Sequence, residues 1–296
     1  MRARKKGKGI ALFLLFLALL LIVSFAAGRF QVFRKGGLRL SEPKIAVIPI
    51  EGVLADARNV LEQIDQYSDR DDVKAFVFRI DSPGGTVVAA QELYAAIRKL
   101  KGRKITLSSL GNVAASGGYY VASATDEILA NPGTITGSIG VLSQYANLED
   151  LLKKIGLRST VLKSGRFKDV GSPLRQMTAE EAEYLQGLLD NIHKQFIRDV
   201  AQGRDKPVEQ IEALSDGRVF TGEQARENGL VDGLGTFQDA LDRAAELAGI
   251  EGKPVILYPA KKKIRILDFL LQGLASWLQD FLAAKIGLPD PGGSRL

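Results

Sequence analysis

The chain has 296 residues, of which 46% are apolar and 25% charged, a balance that buries a sizeable core in one or two domains and excludes disorder over most of its length. The formal charge of +6 is carried partly by the two ends, in MRARKKGKG at the start and AKKKIR from Ala260. No basic stripe of the kind that neutralises nucleic-acid phosphates runs between them, so nucleic acid is not expected as a partner. There is no cysteine, which excludes disulfides and thiolate metal sites.

In chain order, Arg2, Arg4, Lys5, Lys6 and Lys8 precede IALFLLFLALLLIVSFAA, residues 10 to 27, which holds no charge, proline or glycine. As a helix rising about 1.5 Å per residue it spans about 27 Å, close to the hydrocarbon thickness of about 30 Å. The competing reading is a cleaved signal peptide ending near Ser24-Phe25-Ala26, but such apolar regions normally run only about 7 to 15 residues. Length therefore favours an uncleaved anchor. In either case the basic flank stays in the cytoplasm and the remainder is exported.

Beyond a linker ending at Pro43 the pattern alternates. KIAVIPIEGVL (44 to 54) reads as a strand, NVLEQIDQYSD (59 to 69) as a helix and VKAFVFRID (73 to 81) as a second strand, turned by SPGG. TVVAAQELYAAIRKLK (86 to 101) carries Val87, Ala90, Leu93, Ile97 and Leu100 at helical spacing, and KITLSSLG (104 to 111) is a third strand. This βαβαβ order predicts an α/β fold: a largely parallel sheet covered by helices, with ligands at the carboxyl ends of its strands. SPGG and NVAASGG both fall at such ends.

Ser116, in NVAASGGYY (112 to 120), thus follows a strand and opens a small-residue helical stretch. A helix N-terminus offers unpaired N–H groups and a positive dipole end to developing negative charge. Taken alone, however, Ser116 also fits an ordinary N-cap. A nucleophilic serine needs a base, and the one histidine, His193, lies on an amphipathic helix with Leu189, Ile192, Phe196 and Ile197, where it reads as a boundary residue. The other established base is a lysine held neutral, which requires its ordinary pKa of about 10.4 to fall by roughly three units through desolvation. Most lysines lie in charge-rich segments. Lys168, in SGRFKDVGSP (164 to 173), sits beside Phe167 and Val170 between Gly165 and Gly171, in a loop after the predicted strand LRSTVLKS. By itself it also fits a surface lysine paired with Asp169.

Taken together, DSPGG (81 to 85), NVAASGGYY, NPGTITGSIGV (131 to 141) and SGRFKDVGSP resemble the signal peptide peptidase SppA family in its short, single-repeat bacterial form. The match runs from about Lys44 to Ala260. It implies a membrane-anchored serine endopeptidase that cleaves signal peptides left in the bilayer, on a crotonase-like repeated β-β-α fold shared with Clp protease. It further implies Ser116 as nucleophile, Lys168 as general base, Ser138 as the hydroxyl that orients the lysine, and the N–H groups of Gly85 and Gly117 as oxyanion hole. No metal or organic cofactor is implied. The implied partners are peptide substrates, membrane lipid and further copies of the chain in a ring.

The expected organisation is therefore a basic stretch, anchor and linker over 1–43, a peptidase domain over 44–260, and a basic, amphipathic tail over 261–296. In the tail, Leu267, Leu270, Leu271, Leu274, Trp277, Leu278, Phe281 and Leu282 follow helical spacing behind Lys261, Lys262, Lys263 and Arg265. Two other readings stay open: a crotonase-fold enzyme acting on a thioester, and a non-catalytic membrane scaffold.

Overall fold

The strands β1 (Lys44–Glu51), β2 (Val73–Ser82) and β3 (Ile105–Ala115) are buried over most of their length, as strands covered on both faces are. The structure, a computed structural model, describes residues 42–259. The apolar run at 10–27 and the tail helix at 265–287 lie outside the described residues. A boundary between two compact units falls between Leu257 and Tyr258. No helix among the described residues is long and apolar enough to cross a membrane.

The short strands are β4 (Glu127–Ala130), β5 (Ile135–Gly137), β6 (Val219–Thr221), β7 (Gly233–Leu234) and β8 (Val255–Leu257). The sheet order is β6-β5-β3-β2-β1-β8, with β4 pairing β3 and β7. Every pairing is parallel except β5 with β6, so the fold is mixed α/β on a mostly parallel sheet, as the βαβαβ order predicts.

Alternation along the strands divides the core. Ala46, Ile48, Ile50, Phe76, Phe78 and Ile80 face one cluster, shared with α1 (Arg58–Ser68), α2 (Val87–Leu100), α3 (Gly117–Ala122) and the second half of α5 (Ala179–Gly203). Ile45, Val47, Ala75, Val77 and Leu107 face a smaller one, covered chiefly by α8 (Phe237–Leu247). The remaining helices are α4 (Glu149–Lys154), α6 (Val208–Glu212) and α7 (Gly222–Glu227).

One strand runs longer than its periodicity suggests, and one is absent. β3 continues past Gly111 to Ala115 because it changes partner: Leu107–Ser109 pairs β4, whereas Val113–Ala115 pairs β5. In contrast, LRSTVLKS is not a strand. Residues 157 to 164 join no strand among the described residues, and Val161 and Leu162 are exposed rather than packed against the sheet. An apolar run cannot hold a strand without an edge to satisfy its backbone groups.

Candidate active site

Ser116 stands where β3 gives way to α3, with φ +52° and ψ −122°. A residue with a Cβ is strained there, at a cost of about 1 to 3 kcal/mol. An ordinary N-cap has extended φ/ψ and accepts a hydrogen bond from the first turn; Ser116 has neither feature, since its side chain makes no capping bond. The elbow is held from outside. Ser116 N–H donates to the Gly137 carbonyl at 2.8 Å, and Thr134 and Thr136 hydroxyls donate to the Gly111 and Ala114 carbonyls at 2.8 and 2.7 Å. The Asp81 carboxylate accepts from Val113 N–H at 3.1 Å and Asn112 Nδ2 at 2.8 Å. The threonines of NPGTITGSIGV and the aspartate of DSPGG therefore brace the strand that delivers the serine.

The DSPGG turn passes so close to the elbow that side chains are excluded. A Cβ on Gly84, itself at φ +95°, would lie 2.6 Å from the Gly117 nitrogen and 2.9 Å from the Ser116 Cβ; one on Gly85 would lie 2.2 Å from the Leu54 carbonyl oxygen. Leu54 N–H donates to the Gly84 carbonyl and Thr86 N–H to the Leu54 carbonyl, at 2.9 and 2.8 Å. Those bonds fix Gly85 while leaving its own amide free. Neither the Gly85 nor the Gly117 amide donates to a backbone acceptor among the described residues, and both glycines line the same cavity as Ser116. Two amides without a backbone acceptor thus flank a strained serine, and such donors can hydrogen-bond an anionic oxygen that approaches them.

That cavity has a volume of about 610 Å³ and also takes in Ser138. Ser138, at φ +51°, is a second non-glycine residue with positive φ; its N–H donates to the Arg218 carbonyl at 2.8 Å. The turn of TGSIG thus brings Ser138 into the same lining as Ser116. Val87, Ala90, Tyr120, Leu142, Ile192 and Phe196 supply apolar lining. The Tyr120 ring lies between Tyr94 and Phe196, at 5.3 and 4.5 Å between ring centres, and its hydroxyl donates to Asp199. Burial pushes the Tyr120 phenol well above its ordinary range, so that floor is uncharged. Its aromatic make-up was not legible locally, because Tyr120 and Phe196 are 76 positions apart (196 − 120). His193 also lines the cavity. Its Nε2 is buried without a hydrogen-bond partner among the described residues, so neither Ser116 Oγ nor a carboxylate among them engages that nitrogen.

Lys168 lies elsewhere. It is exposed, is not among the residues lining the Ser116 cavity, and its ammonium enters no ion pair or hydrogen bond among the described residues. The partner expected for it, Asp169, is taken by Lys163 and Arg175. Arg175 and Lys163 hold the Asp169 carboxyl far below the usual carboxylate range, and Arg175 with the Thr178 N–H draws Glu181 down to about 2. The structure thus brings together Ser116, Ser138, Gly85 and Gly117, with Lys168 outside that group in the single subunit.

Residues 98–251 match the model of Peptidase family S49. The chain is 45% identical over 216 residues to a candidate protease of Synechocystis, covering 72% of this chain and 78% of that one. It is 34% identical over 251 residues to a candidate signal peptide peptidase SppA of Enterococcus faecium, covering 80% and 73%. Among solved structures, a point mutant of ClpP1 from Listeria monocytogenes aligns over 66% of this chain and 93% of its own, at 16% identity and a TM-score of 0.46.

Proposed function

We propose that this chain, which belongs to peptidase family S49 and is an SppA-like serine peptidase, attacks peptide carbonyls through Ser116 Oγ with Lys168 as general base. The observation that carries the reading is the strained Ser116 elbow beside the free Gly85 and Gly117 amides. Oγ bonds to the carbonyl carbon as the lysine amine takes its proton, and the carbonyl oxygen becomes an oxyanion between the two amides. Collapse of that intermediate breaks the C–N bond, and the lysinium returns its proton to the leaving amine. Water then enters by the same route in reverse roles, releasing the acid and free Ser116. Each oxyanion donor is worth about 2.7 to 4 kcal/mol in the transition state. Ser138 serves to orient the lysine.

Lys168 reaches Ser116 from a second copy of the chain in this reading. Its exposure outside the cavity supports that arrangement, as does the exposed apolar surface of the segment from Leu142 to Leu162: Leu142 is 84% and Leu162 95% exposed, and Leu151, Ile155 and Leu157 are also exposed. Apolar exposure on that scale marks a surface awaiting a partner, and covering it would strip water from the ammonium and favour the neutral amine a base requires. A heterologous contact of this kind, repeated, gives a ring where its rotation closes, and a closed ring is the assembly proposed. The fold is read as the crotonase and Clp-protease type, and residues 44–260 as the peptidase domain.

The substrates proposed are extended apolar peptides, such as signal peptides left in the bilayer after cleavage. The apolar cavity wall supports this, as does the basic-then-apolar start of the sequence, which would anchor the enzyme with its N-terminus in the cytoplasm and the peptidase domain outside. An export-dependent reporter fused after Gly37 should therefore be active, and one active only in the cytoplasm should be silent.

The central test is cleavage of a synthetic signal peptide. Ser116→Ala and Lys168→Ala should each abolish it, and Lys168→Arg should fail as well, because a guanidinium stays protonated at any working pH. A second reading, with His193 as base, is favoured by its place on the cavity wall. It predicts the opposite: loss in His193→Ala and survival in Lys168→Ala.

A further inference from the structure

We propose that Arg175 is a positioning residue for Lys168: it locks the loop that carries the lysine onto the first turns of α5. The proposal rests on the reading of Lys168 as the base. It starts from a physical problem. A catalytic group must be held to within about 0.5 Å of its working position by its own supporting contacts, yet the segment from Ser164 to Pro173 contains no helix or strand and has few apolar residues with which to pack.

The arginine supplies the missing support through its planar fork. Nε donates to Asp169 Oδ2 at 2.8 Å and Nη1 to Glu181 Oε2 at 2.8 Å, while Nη2 donates to Glu181 Oε1. Glu181 is itself immobilised, since it accepts from Thr178 N–H at 3.0 Å and its own N–H donates to the Thr178 hydroxyl at 3.2 Å. That reciprocal capping box places the carboxylate at the start of α5. On the other side of the lysine, the Phe167 ring stacks on Tyr184 of α5 at 4.8 Å, and Arg166 pairs with Glu180 at 2.9 Å. Both neighbours of Lys168, Phe167 and Asp169, are thus tied to the same helix, and Lys168 alone is left free to project. The side chains of Asp169 and Glu181 are only 13% and 6% exposed, so breaking the clamp leaves a poorly solvated carboxylate rather than a tolerant surface.

The experiment compares Arg175→Met, Arg175→Lys and Glu181→Gln in the full-length protein. Glu181→Gln keeps the capping geometry and guards against a fold defect. Competent sites are counted by fluorophosphonate titration of Ser116, and kcat, KM and the pH–rate profile are measured with a synthetic signal peptide. All three variants should lower kcat by roughly 10- to 100-fold, the scale of a catalytic group displaced by about 1 Å. KM should stay within about twofold, the number of titratable sites should be unchanged, and the rising limb of the pH profile should move. Arg175→Lys should not rescue, because an ammonium cannot bridge two carboxylates as the fork does. Unchanged kcat and an unchanged rising limb in Arg175→Met and Glu181→Gln would overturn the proposal, as would a kcat loss fully explained by fewer titratable sites. The Lys168→Ala background separates the two ideas. If Arg175→Met slows residual fluorophosphonate labelling there as much as in wild type, Arg175 does not act through the lysine. If Lys168→Ala alone cleaves at the wild-type rate, the base assignment has failed instead.

Discussion

Ser116 is the residue on which local preference and tertiary demand disagree most. A serine has no intrinsic reason to adopt φ +52°, and the conformation persists because Gly137, Gly84 and the paired strand β5 surround it. Such strain is characteristic of sites where the surrounding fold over-determines one side chain. Ser116→Gly should therefore abolish peptide cleavage and yet raise stability by about 1 kcal/mol, since glycine adopts positive φ without the Cβ clash. Chemical denaturation of wild type and variant provides the measurement, and a destabilised Ser116→Gly would show that the elbow is not strained. The same argument applies to Ser138 at φ +51°. His193 marks the opposite case: its position on a helix was legible, whereas its place on the cavity wall was not.

At the scale of elements, the DSPGG turn packs tightly against the Leu54 bridge, and the proposed oxyanion hole depends on it. A Cβ at position 85 would stand only 2.2 Å from the Leu54 oxygen, so Gly85→Ala must push the turn away from the elbow and carry its amide with it. A loss of about 100-fold or more in kcat/KM is expected, the scale of removing one oxyanion donor, together with measurable destabilisation in a thermal melt. Wild-type kcat/KM in Gly85→Ala would remove that amide from the oxyanion hole. Further along, β3 performs two tasks in sequence. Its first half belongs to the core sheet through β2 and β4, and its second half, after the register shift at Ile80/Ser82, leaves β4 for β5 and aims Ser116 at the cavity.

For the whole molecule the proposed contact is that of Lys168 with the Ser116 of another copy of the chain. Equimolar Ser116→Ala and Lys168→Ala proteins, each inactive, should recover activity on subunit exchange. A site that takes its serine from one copy and its lysine from another would be whole in a fraction of mixed assemblies. No recovery after demonstrated exchange would place both residues in one subunit, and full activity in a monomeric preparation would end the requirement for assembly.

At this scale the division between sequence and structure is physical. The alternating apolar runs from Lys44 to Leu100 were enough to predict strands, helices and a parallel sheet, because burial on both faces of a strand and one face of a helix leaves a periodic trace in composition. The glycine and serine motifs were legible only jointly, through their resemblance to the SppA family; taken alone, Ser116 fitted an N-cap and Gly85 a tight turn. What the sequence could not specify locally was any property that depends on distant segments meeting. The free amides of Gly85 and Gly117, the aromatic floor from Tyr120 and Phe196, and the clamp from Arg175 to Asp169 and Glu181 exist only in the folded chain. LRSTVLKS shows the limit from the other side, since its strand-like composition has no sheet edge to join. Periodicity records which face of an element is buried; only the tertiary structure supplies the partner that buries it.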